Sequence, residues 1–238
     1  MLKRLAKGAL RRAGWELRRC RAVAACARSR RKFILDALDV RAVIDVGAAC
    51  GGYGRNLRDL GFAGRIVSVE PRRSAFDELR RKAGDDSLWS CVRAALGAED
   101  GEISLYVSGR ETSSSILEML PEHERVAKDS GYIGEEVVPL LRLDSVLESE
   151  GLLNVASYLK LDVQGYEDRV LSGGCKALRC ARAVELELSL VPLYEDAARW
   201  RVLLDRLDDE GFRPISFDDV LLEPSSGFAM QVDCILIR

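Results

Sequence analysis

The 238-residue sequence lacks the marks of several protein classes. No uncharged apolar run approaches the roughly 18 residues a membrane-spanning helix needs. Arginine interrupts the N-terminus too regularly for a signal-peptide core, and a cytoplasmic protein is expected. The seven cysteines (20, 26, 50, 91, 175, 180 and 234) are odd in number and form no Cys-x-x-Cys pair. Most stand in or beside apolar runs and read as buried, reduced thiols, so neither a disulfide frame nor a zinc site is expected. There is no dedicated metal signature, no P-loop, no internal repeat and no long low-complexity tract.

What is present is unevenly distributed. Residues 1–32 hold 12 Lys/Arg and one acid, Glu16, whereas the remainder carries a net charge of −13. A basic arm on an acidic body places the main boundary near residues 30–40, dividing the chain into an arm (1–32) and a domain (33–238). Leu2, Leu5, Ala6, Ala9, Leu10, Ala13 and Leu17 recur at helical spacing with Lys3, Arg4, Lys7, Arg11 and Arg18 largely opposite, which predicts a basic amphipathic helix. Its apolar stripe suits packing on the domain or on a second copy in a homodimer. An anionic membrane surface, met peripherally from the inner face, is the next reading. Nucleic acid is set aside, because no aromatic stacking platform accompanies the arginines.

The most informative stretch is Ala42-Val-Ile-Asp-Val-Gly-Ala-Ala-Cys-Gly-Gly-Tyr-Gly54, followed by Arg65-Ile-Val-Ser-Val-Glu-Pro71. It reads as strand, glycine turn, helix and strand, with Glu70 at the tip of the second strand. The glycines admit a close backbone approach to a ligand, and the carboxylate can accept both hydroxyls of a ribose. Glycine spacing selects the cofactor. A dinucleotide site requires Gly-x-Gly-x-x-Gly, but from Gly47 the second glycine falls on Ala49, and from Gly52 the third falls on Leu57. Asp45-x-Gly47-x-x-x-Gly51 fits instead, the pattern of S-adenosylmethionine sites, where no phosphate must be held.

From about residue 41, strands and helices alternate, which predicts an α/β fold with a mostly parallel sheet covered on both faces. Strands are expected near 42–46, 65–70, 89–94, 156–162 and 183–189, and helices near 52–60, 73–83, 144–149, 166–172 and 195–210. An insertion, 97–143, carries a β-run at 103–107, a serine cluster and a charged helix around 121–130. Residues 213–217 and 231–237 add a terminal antiparallel hairpin, completing the seven-stranded, Rossmann-like sheet of a class I methyltransferase.

Ligands bind beyond the carboxyl ends of such strands. The polar residues there are Asp45 and Gly47, then Glu70, then Lys160 and Asp162, then Glu185 and Glu187. Period two places Lys160 with Asp162, and Glu185 with Glu187, on one face. Charges inside apolar strands are costly unless paired or functional. A structural ion pair between Lys160 and a neighbouring carboxylate is the plainer reading, and a ligand site the sharper one.

Asp45-x-Gly47, Val69-Glu-Pro71, Leu143-Asp-Ser145 and Lys160-Leu-Asp-Val-Gln-Gly-Tyr-Glu167 together resemble the FkbM family of S-adenosylmethionine-dependent methyltransferases. Glu185-Leu-Glu-Leu-Ser-Leu-Val-Pro-Leu-Tyr-Glu195, Gly211-Phe212 and Gln231-Val-Asp233 extend the resemblance over about 33–238. The family usually has asparagine where this chain has Ala49, and it often ends the helix after the Glu-Pro motif on an asparagine missing from Leu79-Arg-Arg-Lys-Ala-Gly84. The resemblance implies methyl transfer, most often to oxygen, on a small molecule or glycan: a sugar, glycolipid, polysaccharide or natural product. Expected cofactor contacts are Asp45, Gly47, Ala49, Gly51, Tyr53, Glu70, Pro71, Ala94, Asp162 and Gln164. Asp162 and Glu187 are the expected bases, with Lys160 orienting one of them. Ser113, Ser114, Ser115, His123, Glu167 and Tyr194 are candidate acceptor contacts. For His123, in Pro121-Glu-His-Glu-Arg, a solvated surface position is the first expectation; for the serines, an ordinary polar loop competes. Two other readings stand beside this one: a catalytically silent methyltransferase-like adaptor, which Ala49 keeps open, and a nicotinamide oxidoreductase, disfavoured by the glycine spacing.

Overall fold

The computed structural model describes residues 27–238; the amphipathic helix expected over 2–17 lies outside the described residues. Helix α1 (Ala27–Ala37) leads into β1 (Ala42–Val46), α2 (Gly52–Asp59), β2 (Arg65–Val69), α3 (Arg73–Ala83) and β3 (Trp89–Val92). Then come β4 (Ala95–Gly97), β5 (Gly101–Ser108), a 3-10 turn, α4 (Pro121–Val126) and β6 (Tyr132–Arg142). The chain continues through α5 (Leu143–Ser149), β7 (Ser157–Leu161), α6 (Glu167–Ser172), α7 (Cys175–Cys180), β8 (Ala181–Ser189), α8 (Trp200–Asp209), β9 (Arg213–Leu222) and β10 (Ala229–Ile237).

Seven of these strands form one sheet in the order β3-β2-β1-β7-β8-β10-β9. The first five in that order are parallel, and β10 runs antiparallel between β8 and β9. Strands buried on both faces are predominantly apolar, which is why Ala42-Val-Ile-Asp-Val46 and Ser157-Tyr-Leu-Lys-Leu161, each with a single charge, could be read as strands directly. One face of the sheet (Val43, Ile66, Tyr158, Ala183, Ile235) packs on Ile34 and Leu35 of α1, Leu57 of α2 and Leu79 of α3. The other (Ile44, Val67, Leu159, Val184, Leu186) packs on α5 to α8 through Val146, Val170, Leu178 and Leu203.

A second sheet of three strands, β4-β6-β5, is built from the insertion and the residues flanking it. The single strand expected over 89–94 ends at Val92, and the chain re-enters a strand at Ala95 in this other sheet. The helix expected over 195–210 starts only at Trp200. Of the five described cysteines, all free, Cys234 alone is fully buried and Cys175 is exposed, so burial of the thiols is narrower than expected. No helix among the described residues is long and apolar enough to cross a membrane.

Candidate functional site

The strand order reverses between β1 and β7, where the loops leaving the two strands part and leave a crevice. A cavity of about 350 Å³ lies beyond their carboxyl ends, within the roughly 300–1,000 Å³ range of small-molecule sites. Of the residues expected at the cofactor, Gly47, Ala49, Tyr53, Glu70, Pro71, Ala94, Asp162 and Gln164 line it, as do Lys160, Ser114 and Ser115.

The turn after β1 is sterically forced. Gly47 has φ +76°, and a Cβ there would meet the Asp162 carbonyl oxygen at 1.8 Å, so only glycine lets the two strand ends meet. Ala49 is also left-handed, at φ +44°. That conformation favours asparagine over alanine, which gives a physical reason for the family's preference at this position. The Ala49 N–H donates to Glu70 Oε2 at 2.8 Å, and the Arg72 N–H to Oε1 at 2.9 Å. The Glu70 carboxyl is thereby fixed at the cavity wall, each oxygen retaining acceptor capacity. Burial pushes its pKa up to about 7, against the pull of those two N–H groups.

Below the cavity a row of charge crosses the sheet. Asp45 on β1 is in register with Lys160 on β7, and Lys160 with Glu185 on β8. Lys160 Nζ donates to Asp162 Oδ2 at 3.1 Å and forms an ion pair with Asp45 Oδ1 at 3.4 Å without hydrogen-bond alignment. Burial disfavours the Lys160 charge, but Asp162 and Asp45 more than offset that and raise its pKa. The fully buried Asp45 lies outside the cavity wall and faces Lys160. Its carboxyl pKa is raised by burial despite Lys160. Glu185, 2% exposed, accepts the Tyr158 hydroxyl at 2.6 Å, the Tyr53 hydroxyl at 2.7 Å and the Arg31 guanidinium.

Gln164 ties the remaining groups together. It sits in a left-handed conformation (φ +57°) before Gly165. Its Nε2 donates to Asp162 Oδ1 at 2.9 Å and to Glu187 Oε2 at 2.6 Å, and its Oε1 accepts the Tyr194 hydroxyl at 2.6 Å. Both amide hydrogens are thus spent on carboxylates, so the side chain positions them and has no donor for a cofactor. Gln231 Nε2 also donates to Glu187 Oε2, at 3.0 Å. Burial and the nearby Asp162, Glu167 and Asp233 push the Glu187 pKa well above the carboxylate range.

Several expected contacts are placed elsewhere. Gly51 is absent from the cavity wall; a Cβ there would run into Leu79 at 2.7 Å and meet Trp89 at 3.5 Å. Ser113 is buried away from the cavity. Ser114 Oγ accepts the Ser108 N–H, and Ser115 Oγ donates to the Gln164 carbonyl while accepting the Leu117 N–H, so the serine hydroxyls brace loops. Glu167 Oε1 accepts the Val163 and Gly165 N–H groups from a buried position, and burial lifts its pKa to about 7. Tyr194 is buried, and its ring lines a different cavity of about 440 Å³ formed largely by residues 189–201. The expected surface position of His123 is overturned: it is 2% exposed, its Nδ1 lies 3.1 Å from Ser130 Oγ, and its ring tilts against Tyr194. Desolvation lowers its pKa.

Sequence reasoning missed Arg31, Glu111 and Asp233 as cavity-lining residues. Asp233 stood within the quoted Gln231-Val-Asp233 motif and was the findable one; nothing local marks the other two. Cys50 Sγ and carboxylate oxygens of Glu78 and Glu111 lie within 4.8 Å of one another. The Cys50 thiol is pushed up to about 12 by burial and those carboxylates, which opposes the thiolate a metal would need.

A parallel sheet closed by an antiparallel strand, with a glycine turn and a carboxylate at the switch point, defines the class I methyltransferase architecture. The Methyltransferase FkbM domain matches residues 45–214, and the chain belongs to that family, a family of S-adenosylmethionine-dependent methyltransferases. The chain is 27% identical over 175 residues to the 2-O-methyltransferase NoeI of Sinorhizobium fredii, covering 69% of this chain and 70% of that one. Among solved structures, it matches the N-terminal domain of human METTL16 in complex with SAH at 11% identity and TM-score 0.47, over 98% of this chain and 80% of that one. It matches the putative RNA methyltransferase PH1948 of Pyrococcus horikoshii at 13% identity and TM-score 0.45, over 98% and 96% of the two chains.

Proposed function

We propose that this methyltransferase acts on a hydroxyl oxygen of a sugar-bearing acceptor, and that the cavity at the sheet edge holds its methyl donor. The observation that carries the reading is the charge of the cavity wall: Glu70, Glu111, Asp162, Glu185 and Asp233 against Arg31 and Lys160. An excess of carboxylates repels a pyrophosphate but suits a sulfonium and an ammonium. Glu70 stands where ribose hydroxyls would donate to it. The printed name of the Sinorhizobium relative, a 2-O-methyltransferase, supports oxygen as the acceptor atom.

For the chemistry, the sulfonium is already activated, and the protein must align an acceptor and take its proton. Of the two expected bases, Asp162 meets the requirement better. Its side chain is 34% exposed and lines the cavity, held by Lys160 on one oxygen and Gln164 on the other. A bound S-adenosylmethionine would supply the activated methyl group, and Asp162, held by Lys160 and Gln164, would accept the proton of the acceptor hydroxyl. Glu187, absent from the wall, accepts the Gln164 amide and serves as its anchor.

The test is methyl transfer from isotope-labelled S-adenosylmethionine to a panel of mono- and oligosaccharides. The label is expected in a methyl ether. Asp162→Asn should lower turnover by about 10²–10⁴ with cofactor affinity measured separately, and Glu187→Gln, which keeps an acceptor oxygen for Gln164, by less than about tenfold. Label on nitrogen, or an Asp162→Asn variant with normal turnover, would reject the reading.

A further inference from the structure

Arg31 precedes the family-matched segment by more than a full helix turn, yet it lines the cavity. It is carried there by α1, whose Ile34 and Leu35 are buried against the same face of the sheet. Its Nε donates to both oxygens of Glu185, at 2.9 and 3.0 Å, and a terminal nitrogen also bonds Glu185 and lies 3.7 Å from Asp233 Oδ2. Burial works against the guanidinium charge, but Glu185 more than compensates, so the residue is cationic throughout the accessible pH range. The guanidinium lies over the Tyr53 ring at 5.3 Å, and Lys160 approaches the same ring at 5.4 Å.

Sheet order gives the cavity two ends. Glu70 follows β2, on one side of β1; Glu185 on β8 and Asp233 on β10 lie on the other, beyond β7. From β2 to β8 is three strand spacings of about 4.8 Å each. Of the two cations of the cavity wall, Arg31, bonded to Glu185, stands at the end away from Glu70, and Lys160 on β7 lies between. The methyl donor is similarly divided, with an adenosine at one end and an amino acid, carrying the molecule's only carboxylate, at the other. On the reading that this cavity is the donor site, Glu70 claims the ribose and leaves the opposite end for the amino acid. Lys160, beside Asp45 and Asp162, stands between the two ends. We propose that Arg31 is a cofactor-binding residue that faces the donor's carboxylate, making the helix ahead of the family domain part of the methyl-donor site. Glu185, Tyr53 and Asp233 hold the guanidinium in place for it, and the same acids favour the adjacent ammonium.

The experiment is calorimetry on the full chain with two probes: S-adenosylhomocysteine, and 5′-methylthioadenosine, which keeps the adenosine and thioether but lacks the amino acid. Arg31→Ala is expected to weaken the first at least tenfold and to leave the second within twofold. Because Arg31→Ala strands a buried Glu185 charge and can unfold the chain, the double variant Arg31→Ala/Glu185→Gln is measured beside it and should show the same split. Arg31→Lys, which keeps charge without the planar fork, should weaken S-adenosylhomocysteine several-fold and spare the shorter probe. Equal weakening of both probes would assign Arg31 a structural role only, and wild-type affinity for S-adenosylhomocysteine in the double variant would also overturn the proposal. A wild-type chain that binds neither probe would instead overturn the donor-site reading beneath it.

Discussion

Glu167 shows how a buried carboxyl at the edge of the site makes stability depend on pH. Its folded pKa of about 7 lies above the ordinary 4.5, because burial outweighs the two backbone N–H groups it accepts. The folded chain therefore binds this proton more tightly than the unfolded one. The stability it contributes is full below about pH 4.5 and is lost as pH rises through about 7, by at most about 3 kcal/mol. Thermal melts of Glu167→Gln, which retains an acceptor oxygen, should fall less between pH 5 and pH 8 than those of wild type; parallel slopes would refute this. Residue identity alone could not foretell such roles. His123, flanked by Glu122 and Glu124, looked solvated, but it meets Ser130 seven residues on and Tyr194, distant in sequence. Glu70 was legible because a carboxylate ending a buried strand has few other uses, whereas the engagement of both its oxygens by backbone was not.

At the scale of elements, the turn after β1 combines a glycine that cannot be replaced with an alanine that is poorly suited. Left-handed alanine is strained by about 1–2 kcal/mol, of which glycine recovers part after its greater unfolded-state entropy is subtracted. Ala49→Gly should stabilise the chain by about 0.5–1 kcal/mol in chemical denaturation, and a loss of stability would show the turn relaxed. Helix α1 makes the second prediction. A chain beginning at Ala27 should bind S-adenosylmethionine as the full chain does, whereas one beginning at Phe33 should lose at least tenfold, because Arg31 goes with the removed residues. The elements found from sequence are those with strong local signals: parallel strands buried on both faces, glycine turns, and helices such as α2 and α3, together with the shorter α5 and α6. β6 escaped because most of its length is exposed and it carries Gly134, Glu135, Glu136 and Pro139, all poor strand formers. α7, six residues long, is too short to show a period.

Over the whole molecule, both faces of the sheet are packed with apolar side chains, and the aligned charges Asp45, Lys160 and Glu185 continue one of them toward the carboxyl ends of the strands. Parallel strands read in isolation reveal alternation within each strand but not register between strands, so the sequence showed the pairs Lys160/Asp162 and Glu185/Glu187 and not the row they form. The function follows from that whole: charges assembled at one edge, on a fold that opens there. The most direct measurement is calorimetry of the full chain at pH 8 with S-adenosylmethionine and NAD, repeated on Glu70→Gln below its melting range. The amide would set an NH₂ against the Ala49 or Arg72 N–H, so the variant should melt lower, by an amount corresponding to about 1–3 kcal/mol. Wild type should bind one S-adenosylmethionine and no NAD, and Glu70→Gln should bind at least tenfold more weakly. Binding of NAD, absence of S-adenosylmethionine binding, or unchanged affinity in a folded Glu70→Gln variant would contradict the assignment of this cavity as the methyl-donor site.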